Sequence, residues 1–228
     1  MKLTDIIGPV MVGPSSSHTA GAVRIGNAAR RLLGQPLQEA VIGLHGSFLA
    51  TGRGHGTDKA IVAGLLGMAV DDRRIPDSFE YARHAGLSFS ISGVDLGDAA
   101  HPNSARLMLT GRQGRKLELV GASIGGGRIC ITELDGLPVN FSGDFPTLIV
   151  HNRDLPGHVA RVTALLSDSG INIAYMQLNR AHRGGQAVMV LECDQEVPGS
   201  VLHDLQAMDG IVKVTFLSLL PEGDRFDV

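Results

Sequence analysis

Cysteine is scarce in this chain: Cys130 and Cys193 are the only two in 228 residues. With no C-x-x-C spacing, neither a zinc ribbon nor a disulfide framework is readable. Both fall in strand-like runs in different halves of the chain, where the ordinary role of cysteine is that of a small buried hydrophobe. Charge is sparse as well. Charged residues make up 19% of the sequence and the net charge is −3, which implies no basic field for nucleic acid or an anionic membrane. The longest apolar stretch, Ile61 to Val70, is too short to span a bilayer. The opening MKLTDIIGPV lacks the layout of a signal peptide, so a cytoplasmic protein is expected. Low-complexity tracts and internal repeats are missing. So are the glycine spacing of a dinucleotide fingerprint and the H-E-x-x-H pattern of a histidine-ligated hydrolase. Pyridoxal phosphate is not expected either, because Lys2, Lys59 and Lys116 of the first half stand in no Schiff-base-like string.

What is present is apolar content of 43%, enough to bury the cores of two small domains. The change of texture near Ser142-Gly143-Asp144-Phe145-Pro146 divides the chain into 1–143, 146–220 and a tail 221–228. In the first part the apolar spacing predicts a helix from Ser17 to Leu33, stopped by Gly34, then a strand from Glu39 to Leu49. A second helix is predicted from Thr57 through Val70. Alternating runs at Leu87-Phe89-Ile91, Leu107-Leu109, Leu117-Leu119, Ile129-Ile131 and Val139-Phe141 read as strands joined by glycine turns, giving an α+β domain. The second part reads βαββαβ, the ferredoxin-like order. Its strands are Thr147 to His151, Asn172 to Asn179, Gln186 to Cys193 and Val212 to Leu219, and its helices Leu155 to Asp168 and Gly199 to Met208.

The segment Gly13-Pro14-Ser15-Ser16-Ser17-His18-Thr19-Ala20-Gly21 places serine hydroxyls, a histidine and a threonine at a predicted helix start. Unpaired backbone N–H groups and the positive dipole end make such a start a receptor for a carboxylate or phosphate. A single serine would suffice as an ordinary N-cap, which is the alternative reading. Two further strings carry titratable groups that are active near neutral pH: Gly54-His55-Gly56-Thr57-Asp58 and His101-Pro102-Asn103. His55 lies between glycines, so little packing hides its ring, although a turn residue is an equal alternative. The residue before Pro102 is pushed out of the helical region, which puts His101 in a loop. His45 lies in a strand pattern and reads as structural. Gly125-Gly126-Gly127 reads as a bulge or hairpin device ahead of an anion cradle.

These three strings, in this order and followed by the βαββαβ tail, resemble the beta subunit or beta domain of the bacterial iron–sulfur-dependent L-serine dehydratases. The tail is similar to an ACT domain, and the first part also resembles the allosteric-substrate-binding domain of some phosphoglycerate dehydrogenases. The resemblance implies conversion of L-serine to pyruvate and ammonia at a 4Fe–4S cluster. Such a cluster takes several cysteine thiolates, so the resemblance further implies a separate alpha subunit that holds it. It assigns Ser15, Ser16, Ser17, His18 and Thr19 to the substrate carboxylate and amine, His55 and His101 to acid–base work, and Asn103 to orienting the substrate. In the tail, Asn152, Asp154 and Asn172 correspond to the amino-acid-facing corners of ACT domains that self-associate around an effector; tight turns want the same residues. An amino-acid-sensing regulatory subunit without catalysis is the alternative function.

Overall fold

The structure, a computed structural model, describes residues 10–218; the expected tail 221–228 lies outside them. The chain forms two compact units, Met1–Gly136 and Leu137–Val228, so the division falls ahead of the 142–146 segment. Among the described residues no helix is long and apolar enough to cross a membrane.

In the first unit a π-helical turn, Ser16–Ala20, runs directly into α1, Gly21–Leu33. Ala22, Ile25, Ala29, Leu32 and Leu33 are buried along this helix, each large aliphatic contributing about 1.5–3 kcal/mol. Gly34 ends it in the left-handed region at φ 67°, its N–H returning to the Arg30 carbonyl, as the position after a helix demands. Strand β1, Leu37–Leu44, is followed by three short helices, α2 (Gly46–Ala50), α3 (Gly52–His55) and α4 (Thr57–Leu65). The expected strand therefore stops five residues early, and the expected helix stops at Leu65. The cause of the first difference is Gly46, which takes φ +54° and accommodates the 102 loop so closely that a Cβ there would lie 2.7 Å from the Pro102 carbonyl oxygen. Helix α5, Ser78–His84, has no counterpart in the sequence reading.

Strands β2 (Ser88–Gly93), β3 (Ser104–Gly111), β4 (Lys116–Gly125) and β5 (Arg128–Leu134) join β1 in the order β2-β1-β3-β4-β5. Only the β1–β2 pair is parallel. Ala40, Ile42 and Leu44 pair with Leu109, Leu107 and Ala105. The period of two puts this apolar set on one face, the side on which α1 packs. Gly125, Gly126 and Gly127 all have positive φ at the β4–β5 turn, so this run is a hairpin.

The second unit opens with β6 (Leu137–Phe141) and continues β7 (Thr147–Arg153), α6 (His158–Asp168), β8 (Ile173–Arg180), β9 (Gln186–Cys193), α7 (Gly199–Ala207) and β10 (Ile211–Leu217). From β7 onward this is the expected βαββαβ order, with an antiparallel sheet β10-β7-β9-β8. Leu148, Val150, Val162, Leu166, Met189 and Leu191 form its core. Helix α6 begins at His158 and not at Leu155, because Gly157 at φ 95° still belongs to the turn. The fold class is α+β.

Candidate functional site

Ser15 caps the Ser16–Ala20 turn: its Oγ accepts from the His18 N–H at 3.2 Å and lies 3.3 Å from His18 Nδ1. The other ring nitrogen, Nε2, lies 3.0 Å from Ser47 Oγ at the start of α2. Phe48 packs edge-on against the ring, with centroids 5.5 Å apart, and the His55 ring stands 5.0 Å away on the remaining side. Burial first, and the neighbouring His55 second, hold the His18 imidazole below its ordinary value of 6.5.

His55 is the last residue of α3, and Gly56 in the left-handed region turns the chain into α4. His55 Nδ1 is buried and, among the described residues, makes no hydrogen bond. Thr19 is also buried, and its hydroxyl donates to the His55 carbonyl at 3.3 Å. Thr19, expected at the substrate, thus ties the serine-rich turn to the end of α3. Ser16 and Ser17 are half-buried. Thr57 is fully buried, and its Oγ1 makes no hydrogen bond among the described residues.

The 101–103 loop reaches this cluster through its backbone. The Pro102 carbonyl accepts from Ser47 N at 2.7 Å, and the Asn103 carbonyl accepts from Ser123 N at 2.9 Å. His101 is exposed, and its Nδ1 accepts from the Asn103 N–H at 3.1 Å. In the neutral ring the proton is therefore on Nε2. His45 Nδ1 likewise accepts from Leu96 N at 3.3 Å, which ties that ring to the loop after β2. Beside the Gly54–Asp58 string a cavity of about 480 Å³ is lined by Leu44, Leu49, Asp58, Phe79 and Phe89, among others. Sequence reasoning missed Ser47, Phe48 and the buried Thr57 hydroxyl. For the first two, the only available signal was Gly46 interrupting a strand pattern.

In the second unit Asp154 Oδ2 accepts from Gly184 N and from Arg180 Nη1, both at 2.9 Å. The Gly184 bond, then Arg180, hold this carboxyl below its ordinary value. Asn172 donates to Asp194 Oδ2 at 2.6 Å, and Asn152 is buried with its Nδ2 on the Arg153 carbonyl. Arg153 pairs with Gln186 and Ile173 with Cys193, at opposite ends of β9. Seven residues of strand put Asp154 and Asn172 about 24 Å apart within one chain. An open cleft of about 390 Å³ adjoins Asn172.

The donor set does not fit a 4Fe–4S cluster. Cys130 stands in the first unit and Cys193 in the second. Burial pushes the Cys193 thiol up to about 11, which opposes the thiolate a ligand must be. Among the described residues no group of three His, Cys, Asp or Glu could hold a metal ion.

The lowered imidazole of His18 sets a pH dependence. A histidine whose folded value lies below its unfolded one makes the unfolded state the better proton binder, so stability rises with pH across the window ending at the ordinary value. His18→Gln is expected to flatten the fall in urea stability between about pH 7.5 and about pH 5.5 relative to wild type. Identical slopes in the two proteins would contradict this environment for the ring.

An α+β unit that gathers hydroxyls and two histidines at a helix start, followed by an ACT-type unit, defines the class of protein. The family described as serine dehydratase beta chain matches residues 4–133, and the ACT domain matches residues 146–210. The chain is 42% identical over 211 residues to the probable L-serine dehydratase, beta chain, of Bacillus subtilis (strain 168), covering 92% of this chain and 95% of that one. It is 37% identical over 197 residues to the L-serine dehydratase, beta chain, of Peptoniphilus asaccharolyticus, covering 86% and 89% respectively. With a D-3-phosphoglycerate dehydrogenase of Synechocystis sp. it shares 27% identity over 191 residues, 83% of this chain but 34% of that one. The chain belongs to the serine dehydratase beta chain family.

Proposed function

We propose that this chain is the beta subunit of an L-serine dehydratase and supplies the substrate-holding and proton-moving half of an active centre completed by an alpha chain. The observation that carries the reading is the His18–His55 pair at the serine-rich helix start, with His55 Nδ1 buried and unbonded among the described residues. Dehydrating serine requires removal of a weakly acidic Cα proton and departure of hydroxide. His55 is the base, with the His18 ring packed beside it. His101 is suited to donate, since its Nδ1 is already engaged and Nε2 carries the hydrogen. Asn103, tied to Ser123 and His101 through its backbone, is placed to orient the substrate. Ser16 and Ser17 receive the carboxylate at the helix start, on a turn that the Ser15 and His18 contacts hold in place. The enamine left by loss of water decays to pyruvate and ammonia.

The 4Fe–4S cluster of this reading resides on the alpha chain, in keeping with the cysteines described above, and the assembly is cytoplasmic. In the ACT unit, self-association is what allows Asp154 of one copy and Asn172 of another to share an amino-acid effector, because one copy holds them far apart. The relatedness to D-3-phosphoglycerate dehydrogenases favours a second reading, a purely amino-acid-sensing subunit. A pyruvate assay with L-serine under anaerobic conditions separates the two. Product is expected only when this chain and the alpha chain are both present; full activity of the alpha chain alone would leave this chain regulatory.

A further inference from the structure

Ser47 is held from several sides. Its N–H donates to the Pro102 carbonyl at 2.7 Å, its carbonyl accepts from Thr51 Oγ1 at 2.8 Å, and its Oγ lies 3.0 Å from His18 Nε2. These bonds fix a half-buried hydroxyl at the meeting point of α2, the 101–103 loop and the serine-rich turn. Across the ring, Ser15 Oγ accepts from the His18 N–H and faces Nδ1.

A hydroxyl that already accepts one hydrogen bond is polarised into a better donor. Ser15 O–H is therefore directed at Nδ1, which makes Nδ1 the acceptor and leaves the ring proton on Nε2. Nε2–H then donates to Ser47 Oγ. Among the described residues the Ser47 O–H has no acceptor of its own, and it ends a chain of donors that runs one way, from Ser15 through the imidazole to Ser47.

We propose that Ser47 is a further ligand-contacting residue of this site: it holds His18 as the Nε2–H tautomer and offers its own O–H to a carboxylate oxygen of the bound amino acid. The ligand half of this assignment rests on reading the site as a serine pocket. The tautomer half rests on hydrogen bonds within this chain alone.

Nitrogen NMR of the full-length chain, isotope-labelled at histidine, reads the His18 tautomer directly. Wild type is expected to show the Nε2–H form, S47A a mixture of both neutral forms, and S47T the wild-type pattern again. In the assembled enzyme S47A is expected to raise KM for L-serine about tenfold or more, the loss expected for a donor to a charged group, with a smaller change in kcat. S47T should recover most of it. An S47A spectrum identical to wild type overturns the proposal. A changed tautomer with unchanged KM also overturns it, by reducing Ser47 to a support for the ring. If the wild-type assembly makes no pyruvate, the functional reading falls and takes the ligand half with it, while the tautomer result stands by itself.

Discussion

Alanine at His55 is expected to lower kcat for serine dehydration in the assembled enzyme by roughly 100-fold or more while moving KM by only a few fold. The reason is geometric. His55 ends α3 at a left-handed glycine, and Thr19 anchors its carbonyl. Its ring stands 5.0 Å from the His18 ring at the serine-rich turn. His101→Ala, which removes the proposed Nε2–H donor, is likewise expected to lower kcat. Steady-state kinetics, with gel filtration to show that assembly persists, check both. Normal kcat in His55→Ala would move the base onto the partner chain.

Alanine at Gly64 is expected to destabilise the first unit by roughly 3 kcal/mol. A Cβ there would lie 2.1 Å from the Val23 carbonyl oxygen and 2.9 Å from Asn27 N. On the facing helix, a Cβ at Gly26 would lie 2.4 Å from the Ile61 carbonyl oxygen. Helices α1 and α4 therefore touch backbone to backbone, and neither side can yield as a side chain would. Replacing glycine by alanine within a helix is otherwise favourable by about 1 kcal/mol, so the steric term must exceed that gain, and here it does. Because α1 carries the His18 turn at its start, the same substitution should also weaken serine turnover. Urea denaturation measures the first effect; a variant more stable than wild type would refute this packing.

The parts of the fold legible in the sequence are those whose signals are local. Helix α1 shows its apolar spacing and its Gly34 stop within one short window, and the second unit shows short, continuous apolar runs of strand length at β7 and β9, set among helix-period segments, which give the ferredoxin-like order from β7 onward. Helices α2 and α3 were not legible. The stretch from Glu39 to Leu49 reads as one strand, and only the distant Pro102 carbonyl seated on Gly46 shows why the chain turns. The site follows the same rule. The strings containing His18 and His55 announce themselves by composition, but the contact between their rings is a product of the π turn and α3. Ser47 was hidden because its partner lies 29 positions away. The bond from Thr19 to the His55 carbonyl was hidden for the same reason, its partner lying far along the chain. In the second unit, the Arg180 and Gly184 bonds that occupy Asp154 come from the far hairpin, again beyond any local pattern.

In the function proposed above, this chain shapes the serine pocket while the cluster belongs to its partner. Anaerobic separation of the assembled enzyme, followed by iron determination and a visible spectrum of each chain, tests it most directly. This chain is expected to be colourless and free of iron, and the alpha chain to retain the iron and the broad absorption of a 4Fe–4S centre. A stoichiometric cluster on the isolated beta chain would contradict it.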